Sequence, residues 1–314
     1  VTNKTLTLPA FAKINWSLRV LGKRADGYHE IDTLLQTISL HDTLRFQTTD
    51  DSRISVWCDD RAIPSDERNL VWRAAAALQG GYGEKHGVRI RLEKRIPAQA
   101  GLGGGSSDAA VTLVALAHLW RIEVQGNELL EIAEGLGADV PFFLIGGAAR
   151  AHGVGKTVSS VVDLGETYLL VLKPAASIAT GDAYAALNSP ALTTSDAKII
   201  LSSSQADDLS GKLNPKLLHN DFEAPVFQLE PEIKRAKTAL MKSGAQTALL
   251  AGSGSAVFGV FENKHAQERA IQAIELEAGW RVFPCKTVGR SHYETAMGPA
   301  GEILAPSSGE NAGA

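Results

Sequence analysis

Residues 246–261 read QTALLAGSGSAVFGVF: two short apolar runs on either side of the quartet Gly252-Ser253-Gly254-Ser255. Runs of this length about a glycine-serine turn predict two strands of an antiparallel hairpin. Upstream, PEIKRAKTALMKSG (231–244) has helical periodicity and a stop at Gly244, and ETYLLVLKP (166–174) is an apolar strand followed by a short helix at 180–187. Downstream, NKHAQERAIQAIELEAG (263–279) predicts a second helix and WRVFPCKTV (280–288) a last strand. The order β, α, β, β, α, β is that of a ferredoxin-like split βαβ unit, which folds around its own sheet.

The 314 residues exceed what one compact core usually holds, so the remainder should form a second unit. The boundary is expected near residues 162–165, giving units of 1–163 and 164–298, and the small, polar stretch 299–314 is expected to be a mobile tail without function. The first unit mixes strands, at 6–8, 11–21, 33–47, 54–58 and 88–95, with helices but shows no regular βαβ rhythm, so the class is α+β. Residues 190–211 read as a polar connection.

Composition narrows the function. A net charge of −4 with no long basic run gives no electrostatic footprint for nucleic acid or an anionic membrane. No stretch approaches the roughly 18 apolar residues of a membrane helix, and the first residues lack a signal pattern. Cys58 and Cys285 match no zinc or disulfide spacing, which suits a reducing compartment. A cytoplasmic protein acting on a small molecule is expected; nothing in the sequence fixes its oligomeric state.

The candidate chemistry starts at PAQAGLGGGSSDAAVTLVALAHLW, residues 97–120. Gly101, Gly103, Gly104 and Gly105 precede Ser106, Ser107 and a helix read as beginning at Ala109. Glycines let backbone amides turn inward on an anion, and the helix N-terminus adds unpaired N–H groups and a positive dipole end. The expectation is a polyphosphate cradle with the serines as caps and donors. RAHGVGKT (150–157) imitates a Walker A loop, but Arg150 stands where its first glycine is needed and no apolar helix follows, so only Lys156 is kept, as a weak phosphate contact. In AFAKINWSLRV (10–20), period-two alternation puts Lys13 and Asn15 on one strand face, which is either solvated or lines a cleft. Asp139, in GADVP, is either a helix cap or a working carboxylate.

Three segments together resemble the GHMP kinase family, which includes galactokinase, homoserine kinase and mevalonate kinase: PAFAKINWSL (9–18), PAQAGLGGGSSDAA (97–110) and ALLAGSGSAVFGVF (248–261). GKRADGYHEIDTLLQTISLHDTL (22–44) and GADVPFFLIGGAARAHGVG (137–155) make the likeness closest to family members whose acceptor alcohol carries a cytidine diphosphate group. The resemblance spans residues 6–298. It implies a two-domain GHMP kinase fold, with an N-terminal domain like ribosomal protein S5 domain 2 and a ferredoxin-like C-terminal domain. It also implies transfer of the γ-phosphoryl of ATP, with Mg2+, to an alcohol.

Carried onto this chain residue by residue, the resemblance implies Asp139 as the catalytic carboxylate and Lys13 as its partner, stabilising negative charge on the carboxylate or the acceptor hydroxyl. ATP would meet Asn69, Lys94, Pro97, Gly101, Leu102, Gly103, Gly104, Gly105, Ser106 and Ser107. The acceptor would meet Asn15 and His29 at the cytosine edge, Tyr28 and Tyr184 as stacking rings, and Thr180, Gly252, Ser253 and Asp139; no residue is assigned to a metal. Asp108, so near phosphate, should turn away or meet magnesium. Another small alcohol as acceptor and a nucleotide-binding module without turnover are the competing readings. The Tyr28-His29 pair opposes the first, and Lys13 with Asp139 opposes the second.

Overall fold

The structure is a computed structural model and describes residues 4–124, 127–187 and 218–304. The chain runs β1 (Thr5–Lys23), β2 (His29–Thr49), β3 (Ile54–Cys58), α1 (Leu70–Gly81), β4 (Gly87–Glu93), α2 (Gly104–Trp120), α3 (Glu128–Leu136), α4 (Val140–Ile145), β5 (Ala148–Gly153) and β6 (Thr157–Ser160). It continues β7 (Tyr168–Lys173), α5 (Thr180–Ala186), β8 (His219–Asn220), α6 (Glu223–Leu229), α7 (Pro231–Lys242), β9 (Thr247–Leu250), β10 (Val257–Phe261), α8 (Lys264–Ala273), β11 (Arg281–Lys286), α9 (Arg290–Ala296) and a 3-10 helix, Gly298–Ile303.

The second sheet has the order β11-β7-β10-β9, every neighbour antiparallel. With α7 between β9 and its predecessor and α8 between β10 and β11, this is the ferredoxin-like arrangement that the hairpin at 246–261 announces. The first sheet is built on β1 and β2, 19 and 21 residues long and paired along nearly their whole length. β2 is long enough to take two neighbours on its other edge: residues 31–36 pair with β5 and residues 43–49 with β4. That division opens a gap between β4 and β5, and α2 packs across β1 and β2.

Why β1 is buried on both faces follows from its register. The pairing with β2 shifts between Phe11 and Ala12. Before the shift Leu8, Ala10 and Phe11 pack into the core beneath α1, α2 and α4; after it Ala12, Ile14 and Trp16 pack on the second sheet with Leu169, Val171 and Phe258. A bulge of this kind re-aims a strand's side chains. Lys13 and Asn15 therefore point away from the inter-sheet core. Trp16 is fully buried, edge-on to Phe258 at 5.6 Å, and side chains of this size contribute roughly 1.5–3 kcal/mol each when removed from water.

Helix α2 is apolar all round, which fits only a central position, and residues 107–117 are buried without exception. It begins at Gly104 with Gly103 in the left-handed region at its N-cap, earlier than the predicted start at Ala109, so the serines lie in its first turn and cap nothing. The expected mobile tail is corrected for its first residues. α9 and the 3-10 helix cross back from the second sheet to the first core, where Tyr293, Met297, Ala300 and Leu304 are buried. The unit expected over 164–298 thus gives its last residues to the other core; residues 305–314 lie outside the described residues, as does the whole connection at 190–211. No helix among the described residues is long and apolar enough to cross a membrane.

Candidate active site

The two glycine-rich segments, 97–110 and 248–261, meet at Lys13 of β1. Its backbone N–H donates to the carbonyl of Leu102 at 2.9 Å, tying β1 to the glycine-rich loop. A Cβ on Gly103 would lie 3.1 Å from the Lys13 Cγ, and one on Gly252 would lie 3.2 Å from its Nζ. Gly101 presses so closely on the 251–254 turn that its Cβ would sit 1.8 Å from the Ala251 carbonyl oxygen. Asn220 holds that turn from behind, its Nδ2 donating to the carbonyls of Leu250 (2.9 Å) and Gly252 (2.8 Å). Lys13, Gly101, Leu102, Gly103 and Gly252 line one cleft of about 1160 Å³, and Asn220 supports its wall from outside.

Within the cleft the Lys13 ammonium stands 3.6 Å from the Asp139 carboxylate and donates to Asn15 Oδ1 at 2.9 Å. Asn15 in turn donates to Thr33 Oγ1, which donates to the Ser17 carbonyl at 2.6 Å. This chain of bonds is buried and fixes the lysine's reach. Lys13 is buried while the Asp139 side chain keeps 41% exposure, so the carboxylate is the member that an incoming molecule meets. Asp139 occupies the N-cap position of α4, yet its side chain makes no capping bond. The carboxylate lines the cleft and does not serve as a cap.

The loop wall consists of Pro97, Gly101, Leu102, Gly103, Gly104, Gly105 and Ser106, all lining the cleft. Because α2 begins at Gly104, the amides of its first turn lack intrahelical partners and face the same space as the glycines. Such a surface takes anionic oxygens. Ser107 departs from expectation: it is fully buried, absent from the cleft wall, and its N–H already donates to the Gly103 carbonyl. Asn69 lines the cleft, but its amide accepts from Val71 N–H and donates to the Pro64 carbonyl, capping α1. Lys94 also reaches the wall, although its ammonium is held between the Asp42 and Asp108 carboxylates. Burial alone would lower the Lys94 pKa; Asp108 and Asp42 reverse that and raise it, so the lysine stays charged. Burial pushes the Asp108 carboxyl upward, Lys94 opposing and Asp42 adding to the rise. Asp108 is buried and paired with Lys94, yet it also borders the cleft beside Ser106.

At the other end of the cleft stand Tyr28, His29, Thr180, Tyr184, Gly252 and Ser253. Tyr28 is 66% exposed on the β1–β2 turn, leaving its ring face available. Tyr184 is differently placed from a simple stacking platform: His29 stacks on it at 4.8 Å and 28°, and the edge of Phe222 closes the far side at 4.8 Å. Burial pushes the Tyr184 hydroxyl up to about 12, with Asp139 adding to it, so the phenol remains protonated. Burial first, then Lys23, lowers the His29 pKa from 6.5, so its neutral ring offers one N–H and one acceptor at neutral pH. Thr180 and Ser253 join hydroxyls at 3.2 Å across the mouth.

Profiles for the GHMP kinases N terminal domain and the GHMP kinases C terminal domain match residues 69–147 and 203–279. A protein of Thermodesulfovibrio yellowstonii named 4-diphosphocytidyl-2-C-methyl-D-erythritol kinase is 43% identical over 86% of this chain and 94% of its own length. A protein of the same name from Syntrophus aciditrophicus is 39% identical over 88% of this chain and 97% of its own. The chain belongs to the GHMP kinase family. A crystal structure of 4-(cytidine 5'-diphospho)-2C-methyl-D-erythritol kinase superposes with a TM-score of 0.74 at 37% identity, covering 90% of this chain and all of that one. The GHMP kinase fold expected from the resemblance is therefore the fold observed.

Sequence reasoning missed several residues of this GHMP kinase cleft. Asn220 and Phe222 lie just after the connection at 190–211 and act only through distant partners, so no local pattern marks them. Thr33 was hidden inside a strand, and its role appears only when β1 pairs with β2. The hairpin of β5 and β6, whose turn carries Gly155 and Lys156 to the cleft, follows a glycine pair and an alanine-rich run of weak strand propensity.

Proposed function

We propose that this chain transfers the γ-phosphoryl group of ATP to the 2-hydroxyl of 4-diphosphocytidyl-2-C-methyl-D-erythritol, the phosphorylation step of non-mevalonate isoprenoid precursor synthesis, in the cytoplasm. The observation that carries it is the placement of the Lys13–Asp139 pair between an amide-lined cradle and an aromatic mouth in one cleft. Phosphoryl transfer asks a protein for positioning and charge stabilisation more than for covalent help. The loop from Gly101 to Ser106 holds the triphosphate by backbone amides. Asp139 orients the acceptor hydroxyl and takes its proton; the oxygen then bonds to the γ-phosphorus as the bond to the β-phosphate oxygen breaks, releasing ADP. Lys13, held by Asn15, neutralises the charge that develops between them.

Magnesium would arrive with ATP. The ion would be bound chiefly by phosphate oxygens and water, with at most one or two carboxylates. Asp139 is the exposed carboxylate at that point of the cleft. The ion would supply charge neutralisation on the phosphates.

At the mouth, the neutral imidazole of His29 and the amide of Asn15 match the donors and acceptors of a cytosine edge, and Tyr28 supplies a ring to lie on the base. His29→Ala is expected to raise the KM for the cytidine-bearing acceptor about tenfold while the KM for ATP changes less than twofold. Loss of both affinities together would mean that the stacked His29–Tyr184 pair is structural. The reading as a whole is tested by a coupled assay of ADP release with a panel of alcohols. Turnover with the cytidine diphosphate alcohol alone is the expected result. Turnover with homoserine, mevalonate or galactose in its place would refute the substrate, and ATP binding without turnover on any alcohol would refute the activity.

A further inference from the structure

The cations on the cleft wall are not equivalent. Among the described residues, Lys13, Arg24, Arg68, Lys94 and Lys156 line the cleft, and four of them are neutralised within the protein: Lys13 by Asp139, Arg24 by Asp26 and Glu30, Arg68 by Asp66, and Lys94 by Asp42 and Asp108. Lys156 forms no ion pair and no side-chain hydrogen bond with any described residue. A half-buried lysine without a counter-charge among the described residues, at the wall of a cleft, is poised for an anion from outside the protein.

Its place in the cleft says which anion. Lys156 lies in the turn between β5 and β6, and β5 pairs with β2 so that Gly153 faces Ile31, two residues beyond His29. A Cβ on the adjoining Gly155 would lie 3.3 Å from the Ile31 side chain and 3.8 Å from the Cβ of Ala138, the residue before Asp139. The turn is thus wedged between the strand that carries the cytosine-side histidine and the segment that carries the catalytic carboxylate. The glycine-rich loop, with its amides, forms a separate part of the wall.

We propose that Lys156 binds the diphosphate that links the cytidine and the alcohol of the acceptor, and that it is a specificity-determining residue for that group. This assignment rests on the acceptor proposed above. A base placed at His29 and a hydroxyl placed at Asp139 leave the linking phosphates to pass the β5–β6 turn, where Lys156 supplies the charge that the paired cations do not. The amide cradle serves ATP, and this lysine serves the other phosphate-bearing molecule in the same cleft.

The test compares CDP and cytidine as ligands of the full chain, by calorimetric titration of the wild type, Lys156→Gln and Lys156→Arg. The expected result is that Lys156→Gln weakens CDP about tenfold and cytidine less than twofold, while Lys156→Arg keeps CDP within about threefold of wild type. In turnover, the loss should appear in the KM for the acceptor rather than in kcat or the KM for ATP, with an unfolding midpoint equal to wild type. CDP binding by Lys156→Gln within twofold of wild type overturns the inference, as does an equal loss for cytidine or a rise in the KM for ATP instead. If the wild type neither binds CDP nor turns over the cytidine diphosphate alcohol, the acceptor itself is wrong. A wild type that turns over that alcohol beside an unaltered Lys156→Gln sinks the role of Lys156 alone.

Discussion

Asp139→Asn should lower kcat by roughly 10²–10⁴-fold, the range associated with a positioned general base, while ATP binding stays within a few fold. The substitution keeps the size of the side chain and its place at the start of α4, where it makes no capping bond that could be lost. What disappears is the negative charge beside Lys13 and, with it, the proton acceptor of the proposed mechanism. Single-turnover kinetics with saturating ATP, together with a direct titration of ATP, separate the two effects. A near-normal rate would remove Asp139 from the chemistry, and a parallel collapse of ATP binding would mean that its charge instead organises the cradle.

The second large effect concerns the backbone contact that brings the halves of the cleft together. Gly101→Ala meets two obstacles at once: the residue has φ +74°, and its new Cβ would lie 1.8 Å from the Ala251 carbonyl oxygen. The left-handed conformation alone costs an L-residue about 1–2 kcal/mol, and a backbone carbonyl cannot swing aside as a side chain can. We expect a loss of about 3 kcal/mol or more in stability and a rise in the KM for ATP, read by chemical unfolding and by kinetics. Gly105→Ala is the control for stability. Its Cβ would find only Leu70 Cδ1, at 3.8 Å, within the first turn of α2, and its unfolding midpoint should stay level or rise slightly. Equal destabilisation by the two substitutions would contradict the close approach at Ala251.

How far the sequence speaks for the structure depends on the range of each interaction. The β, α, β, β, α, β order after residue 166 is written in local periodicity, and the sheet order β11-β7-β10-β9 follows from it. Lys13 and Asn15 are legible as one face of a strand because alternation is local. That their face lines a cleft is set by the register shift at Phe11/Ala12 and by the second sheet, which no window of sequence contains. Lys94 shows the same limit from the other side. A lysine in RLEKRI reads as exposed, yet Asp42 and Asp108, far apart in the chain, fold around it. Asn69 carries both a motif position and a capping position, and the structure spends its amide on the cap. The stretch from residue 299 reads as a tail because it is small and polar, and only the first core shows what Ala300 and Leu304 cover.

The central claim is that the Lys13–Asp139 pair delivers the hydroxyl of a cytidine diphosphate alcohol to the γ-phosphoryl group of ATP held on the glycine-rich loop. Phosphorus NMR of the chain with ATP, magnesium and 4-diphosphocytidyl-2-C-methyl-D-erythritol tests it most directly. The account predicts a new phosphomonoester resonance on the acceptor, growing in step with ADP while the diphosphate linkage stays intact. Release of inorganic phosphate in place of that ester, or ATP left unchanged beside the acceptor, would contradict it.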